Sequence, residues 1–535
     1  MPKQWKWLAL LFLLATAGGY WLARSAAPEP RDKSATPARE APSHRALAET
    51  PMPEFRRGDR APAAKRDREA IDAGALANQR VIAFSSQEAL EAFLARMGDG
   101  ISVLGRLDAL NALRVSFLDA DALNSALDGD EELSMIFPVE VPMPGDVGAG
   151  PGAVELGNGL LAWLGIDGMD PAGHGVRIAI LDTGIFSHSS FEGNITTIDL
   201  IERSSNPAEI NGHGTAVASM IAGNSALAPG VSPFADLIDI RVANDFGSSN
   251  SWLLAEGIIA AVNAGAQIIN ISLGSNNDSA LVRNAIAYAQ EFGAVIVAAA
   301  GNQGLDHVSY PAANEGVIAV GAVDATGNHV AFSNSGNIDI AAPGYRINAA
   351  WPDDMAVNVN GTSFSAPIVA GSIAYIMSTE DVSQNQAVQL MNQYLNDAGS
   401  AGPDSTHGGG LPALDRVANR NTSGIHDAAV ASHHVTSPSP GSPSPMLEVV
   451  VQNRGTEPLL NTTVTIDHPG GTTTANITSL QPNAVQPVYV PIPISQYESG
   501  SPLTFDSRVT IGQGIQDNNP ANDRRVDVHH QQTDR

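Results

Sequence analysis

Hydrophobic and polar positions change their period several times along the chain, and each change marks a region. Residues 7–17 are almost uniformly apolar and follow Lys3 and Lys6. A short apolar run behind a basic start has the form of an export signal over residues 1–27, with small residues for cleavage at Ala15-Thr16-Ala17 and at Ser25-Ala26-Ala27. Extending the run to Ala23 gives 17 residues, the short edge of the roughly 17–25 that cross a bilayer. An uncleaved anchor over residues 7–23 is therefore the other reading, and both place the protein outside the cytoplasm, in the periplasm or the medium. Residues 28–78 are rich in Pro, Ala, Arg, Asp and Glu and show no hydrophobic period for most of their length, the pattern of a disordered linker.

Short periodic units follow over residues 79–145. Arg80–Phe84 alternates like a strand, and Ser85 with Glu88 forms a capping box ahead of a helix over Ala89–Met97. Strands are predicted at Ile101–Leu104 and Ala112–Phe117, a helix at Asp119–Leu127, and a closing strand at Leu133–Val141. Two strand–helix–strand units in so short a span predict a small α+β domain of split β-α-β type. Between residues 152 and 421 the strands become near-continuous apolar runs, as strands buried on both faces do. They lie at Val176–Leu181, Leu237–Val242, Ile268–Leu273, Ala294–Ala300 and Val317–Val323, with helices between them at Trp252–Asn263 and Ala280–Glu291. This alternation predicts an α/β domain, a mostly parallel sheet with helices on both faces. Chemistry in such a domain belongs beyond the carboxyl ends of the strands. A Ser/Pro/Gly stretch at residues 437–443 lies in an expected linker, residues 422–446. Val/Thr-rich alternation over residues 447–531 then predicts a β-sandwich.

Composition narrows the function classes. Hydrophobic residues make up 43% and charged residues 16%, so wholesale disorder is excluded. Cysteine is absent, which removes disulfides and thiolate chemistry. Lysine occurs only at positions 3, 6, 33 and 65, so the main body has no phosphate-loop, Schiff-base or Ser/Lys-dyad lysine. The net charge of −27 argues against a nucleic-acid partner.

Three motifs fall where an active site is expected. Asp182 ends a strand in Leu181-Asp182-Thr183-Gly184, and His213 opens an apolar helix in Asn211-Gly212-His213-Gly214-Thr215. Ser363 opens another helix in Gly361-Thr362-Ser363-Phe364-Ser365-Ala366-Pro367. A hydroxyl becomes a useful nucleophile when an imidazole takes its proton, and the imidazole needs a carboxylate to fix its tautomer. Asp-Thr-Gly alone is also the aspartic-protease triplet, but no second copy exists and that reading leaves His213 unexplained. No His-Glu-x-x-His motif supports a zinc protease.

With the motifs in the order Asp, His, Ser, the sequence resembles the subtilisin-like serine proteases over residues 152–421. The resemblance implies an exported serine endopeptidase that acts through an acyl-enzyme, with Asp182 as orienter, His213 as general base and acid, and Ser363 as nucleophile. His213 and Asn302 distinguish it from the similar sedolisin pattern, which carries Glu and Asp there. Gly301-Asn302 matches the family's oxyanion motif, so Asn302 and the Ser363 N–H are the implied donors. Ser272-Leu273-Gly274 and the segment from Gly247 are the implied edges that pair with extended protein or peptide substrates. Ala299, Ala300 and Gly301 are the implied lining of the first specificity pocket, with an apolar preference. Residues 79–145 resemble the family's inhibitory propeptide, an internal partner removed by self-cleavage near Pro144–Gly152. The tail resembles CARDB-type β-sandwich domains, in Val451-Gln452-Asn453-Arg454-Gly455-Thr456 and Asp517-Asn518-Asn519-Pro520-Ala521-Asn522, and names no partner for itself. Catalysis of this kind needs no cofactor. A structural calcium ion known from the family finds little support in the short loop after the His213 helix, where Asn224-Ser225 supplies no carboxylate. The rival reading is a binding protein with an inert protease fold that works through its sandwich.

Overall fold

The computed structural model describes residue 68 and residues 70–142, 148–167, 172–191, 193–203, 210–438 and 444–530. The expected signal or anchor and most of the first linker lie outside the described residues. Among the described residues no helix is long and apolar enough to cross a membrane.

The N-terminal unit is a four-stranded antiparallel sheet of β1 (Gln79–Ala83), β2 (Ile101–Leu107), β3 (Ala112–Phe117) and β4 (Glu132–Ser134), in the order β2-β3-β1-β4. Its helices, Gln87–Arg96 and Ala120–Ala126, cover one face around Leu90, Phe93 and Leu123. The first helix is capped by Ser86, whose hydroxyl accepts from the Ala89 N–H, so the cap sits one residue beyond the expected Ser85. The expected closing strand over Leu133–Val141 is two strands. Its first part, β4, pairs with β1, and Pro138 then opens β5 (Pro138–Glu140), which leaves the small sheet and pairs elsewhere. Proline has no N–H to give a ladder and tolerates the start of a strand. The sheet's other face packs on the peptidase helices. Val81, Leu107, Leu110 and Ala112 share one buried cluster with Trp252, Ile258 and Ile286. A side chain on Gly105 would meet the Trp252 ring at 2.8 Å, so the two units approach as closely as a bare glycine permits.

The central domain is built on seven parallel strands: β6 (Arg177–Asp182), β7 (Ile195–Asp199), β10 (Asp236–Arg241), β12 (Ile268–Ile271), β13 (Val295–Ala299), β14 (Val317–Val323) and β15 (Ile340–Pro343). Their order is β15-β14-β13-β12-β6-β10-β7. Two small hairpin strands, β8 (Asn224–Ser225) and β9 (Ala228–Pro229), follow the helix His213–Ala222. A short strand, β11 (Ser248–Asn250), precedes the helix Ser251–Asn263, and the hairpin β16 (Ile347–Trp351) with β17 (Met355–Val359) leads into the helix Thr362–Glu380. The helices His213–Ala222 and Thr362–Glu380 form the core on one face, and Ser251–Asn263 with Ala280–Glu291 form it on the other.

The tail is a sandwich of a three-stranded sheet, β18 (Ala428–Thr436), β19 (Met446–Asn453) and β22 (Val485–Pro491), and a four-stranded one, β20 (Leu459–His468), β21 (Gly471–Leu480), β23 (Leu503–Thr510) and β24 (Arg524–His529). Its core holds Val449, Val451, Val464, Ile466 and Phe505. The expected linker of residues 422–446 therefore contains a sandwich strand. Thr436 pairs with Met446, so the Ser/Pro/Gly stretch connects two partnered strands and is not a domain border. Pro and Ser clusters mark turns as readily as linkers, which is why composition misplaced the boundary.

Candidate active site

Asp182 is the last residue of β6, at the carboxyl edge of the sheet, and is 1% exposed. Its Oδ1 accepts from the Thr183 N–H at 2.7 Å and stands 2.8 Å from His213 Nδ1, with Oδ2 at 3.0 Å from the same nitrogen. A carboxylate so placed requires Nδ1 to carry the proton, which leaves Nε2 as the free basic nitrogen of the neutral ring. His213 begins its helix, and its N–H donates to Asn211 Oδ1. Gly214 is needed behind it, since a Cβ there would lie 2.6 Å from the Gly184 carbonyl oxygen. Phe364 packs on the imidazole with ring centroids 5.2 Å apart.

Ser363 is the second residue of the helix Thr362–Glu380 and is 1% exposed. Pro367 lies past the first helical turn, in which a missing N–H would cost little. It sits at the sixth helical position, and its missing N–H would have met the Ser363 carbonyl. That carbonyl accepts instead from Ser272 Oγ at 2.8 Å, so the proline ties the Ser363 helix to the segment after β12. Ser363 Oγ in turn donates to the Ser272 carbonyl at 3.1 Å, while the buried His213 Nε2 has no hydrogen-bond partner among the described residues.

Asn302 follows β13. Its Oδ1 accepts from the Thr362 N–H at 2.8 Å and from Thr362 Oγ1 at 2.9 Å. A backbone donor on the oxygen fixes the amide's orientation and leaves Nδ2 as the end available for a developing oxyanion beside Ser363. Gly361, with φ of +138°, comes so near that a Cβ would stand 3.0 Å from Nδ2.

A cleft of about 250 Å³ runs along these residues, lined by Ser272, Leu273, Gly274, Ala299, Gly301 and Ser309 among others. Its long edges are occupied by the chain itself. The Glu140 N–H donates to the Gly274 carbonyl at 3.0 Å and Gly274 returns the bond at 3.1 Å. On the other side Val141 donates to the Gly247 carbonyl at 2.8 Å, and β5 pairs with β11. Ala300, expected to line the pocket, does not. Its side chain is fully buried in the helix-covered core, its N–H donates to Val320, and its carbonyl accepts from Ser309. Strand alternation turns every second side chain away from the cleft, which a reading of three consecutive residues overlooks.

Two residues were not anticipated. Ser309 lines the cleft from a loop that carries no motif. Arg241 ends β10 directly beside Asp182 in register and is fully buried. It donates to the Thr183 carbonyl at 2.6 Å and to Asp245 at 2.9 Å, bracing the turn after Asp182. Its signal was a basic residue closing a strand, Asp236-Leu237-Ile238-Asp239-Ile240-Arg241, whose other charges are acidic.

The profile described as the Subtilase family matches residues 173–410. A thermostable alkaline protease of Halalkalibacterium halodurans is 40% identical over 253 residues, which cover 46% of this chain and 68% of the relative. Subtilisin Savinase of Lederbergia lenta is 37% identical over 243 residues, 45% of this chain and 89% of that one. The chain belongs to the subtilase family. An alkaline protease of Shouchella clausii is 33% identical to this subtilase over 341 residues, 63% of its length and 84% of the relative's. An epidermin leader peptide processing serine protease from Staphylococcus aureus shares the fold, with a TM-score of 0.54 at 20% identity over 65% of this chain and 99% of that one. The subtilase is a serine endopeptidase.

Calcium fits poorly where the family resemblance would put it. Residues 223–230 of the subtilase form the tight β8–β9 hairpin and contain no carboxylate.

Proposed function

We propose that this subtilase is exported, hydrolyses peptide bonds in extended protein substrates through Ser363, His213 and Asp182, and is matured by removal of its own N-terminal unit. The observation that carries the reading is the joint placement of the three side chains and Asn302 beside a groove whose two edges already hold an extended segment by backbone hydrogen bonds. Substrate would replace the Pro138–Val141 segment and add a strand between Ser272–Gly274 and Gly247–Asn250. Such pairing grips the backbone and leaves selectivity to pockets under alternate side chains.

In the proposed reaction His213 Nε2 takes the Ser363 proton as Oγ bonds to the scissile carbonyl carbon. Asp182 keeps the imidazole oriented and stabilises its positive form. The oxyanion meets Asn302 Nδ2 and the Ser363 N–H, which lies among the unpaired donors of a helix start. His213 then gives the proton to the leaving amine, and water completes hydrolysis of the ester by the reverse path. No step uses a cofactor. Leu273, Ala299 and Gly301 favour an apolar side chain in the first pocket, with Ser309 also in the lining.

The test is hydrolysis of an unfolded protein and of short peptides by the purified full chain. Wild type should cleave both, and Ser363→Ala and His213→Ala should cleave neither while retaining the native circular dichroism spectrum. Equal activity in wild type and Ser363→Ala would overturn the assignment.

A further inference from the structure

The segment in the cleft carries a residue, Pro142, that lacks the backbone N–H by which its neighbours pair with the cleft edges. Glu140 and Gly274 exchange both backbone hydrogen bonds. In an antiparallel ladder such two-bond pairs recur every second residue, so the next pair sets residue 142 opposite Ser272. An amide N–H at residue 142 would donate to the Ser272 carbonyl, as Glu140 does to Gly274. Residue 142 is a proline and has none. The Ser272 carbonyl accepts the Ser363 hydroxyl instead, at 3.1 Å, and His213 Nε2 is left without a partner. Pro142 lines the cleft together with Ser363.

We propose that Pro142 is a built-in brake on self-cleavage: by withholding the N–H that would engage Ser272, it leaves the Ser363 hydroxyl donating to that carbonyl and keeps the N-terminal unit as a long-lived inhibitor. The proposal rests on the reading of Ser363 as nucleophile. A residue with an N–H at this position competes for the Ser272 carbonyl, and the displaced Ser363 hydroxyl is then free to donate to His213 Nε2, which has no hydrogen-bond partner among the described residues. The step released is acyl transfer. Ser363 Oγ bonds to the carbonyl carbon of residue 142, the bond to the nitrogen of residue 143 breaks, and the proton travels through His213 to that amine. Water then frees residue 142 as a carboxylate and restores Ser363.

The inference is tested on the full-length precursor, purified and followed by intact mass over time, as wild type, Pro142→Ala and Pro142→Leu. Each Pro142 variant is also made with Ser363→Ala. Both single variants should convert about tenfold faster than wild type, the factor that one regained hydrogen bond is worth, with a new N-terminus at Met143. Conversion of both at or below the wild-type rate, or a new N-terminus elsewhere, would overturn the brake. If the variants carrying Ser363→Ala also convert, the cut is not made by Ser363. The self-cleavage reading then fails, and the brake with it.

Discussion

Two domains flank the catalytic sheet and are held to it in different ways. The N-terminal unit presents an apolar sheet face to two helices and sends one segment into the cleft, where it is held by backbone bonds that almost any sequence makes. The sandwich meets the other side through buried polar side chains with particular partners. Gln452, 3% exposed, accepts from the Asp397 N–H and donates to the Leu395 carbonyl. Glu448, also 3% exposed, accepts from Ser400 Oγ and the Ala401 N–H, and Ser432 Oγ donates to Gly399. Arg416, at the end of the peptidase domain, reaches Tyr394, Leu395 and, across the junction, Asn483. Generic backbone pairing suits a ligand that must be exchanged for substrate. Buried side-chain bonds suit a permanent joint, since each group left unpaired there costs free energy.

The largest test of this contrast is Ser363→Ala. Peptide hydrolysis should fall by a factor on the order of 10⁶, a scale taken from a subtilisin, and both flanking domains should remain covalently attached. Wild type should lose the N-terminal unit and keep the sandwich, as intact mass will show. Next comes Asn302→Ala, which should lower turnover by about 10²–10³ with little change in KM, again a subtilisin scale. A donor used only in the transition state affects turnover alone, so a rise in KM with unchanged turnover would remove Asn302 from the chemistry.

At the sandwich joint the readout reverses. Gln452→Ala leaves the buried Asp397 N–H unpaired and takes from the Leu395 carbonyl one of its two donors, Arg416 being the other, so thermal unfolding should show a loss of about 1–3 kcal/mol while kcat/KM stays unchanged. The smallest effect concerns pH. Burial pushes the Asp397 carboxyl up to about 7, opposed by the Gly402 N–H, Arg454 and His407 and reinforced by Asp404. A raised folded pKa means that the native state holds a proton the unfolded chain gives up above its value of 3.8. Stability is therefore lost as pH rises from about 4 through 7. Asp397→Asn stays neutral and should reduce the fall in unfolding free energy between pH 5 and pH 8 by an amount on the order of 1–2 kcal/mol. An unchanged fall would show that the carboxyl is ionised in the native joint.

The parallel sheet was legible because buried strands write continuous apolar runs, and β14 was located to the residue. The exposed edge strand β7, Ile195-Thr196-Thr197-Ile198-Asp199, wrote none and was not anticipated. The motifs around Asp182, His213 and Ser363 were legible because glycines and helix starts surround them at fixed offsets. Arg241 and Ser309 were not, because their roles exist only through neighbours brought close by folding. Likewise, nothing local to Leu133–Val141 announces that the chain leaves one sheet and enters a cleft. That division depends on where β1 ends and on two edges more than a hundred residues downstream.

The central claim is that Ser363 is the nucleophile of the cleft, and covalent labelling tests it most directly. The matured protein is treated with an organophosphorus fluoride until hydrolysis stops, digested, and mapped by mass spectrometry. One adduct per chain on Ser363, formed in proportion to the activity lost, is the predicted result. An adduct on a different serine that tracks the loss, or full activity in protein labelled at Ser363, would contradict the account.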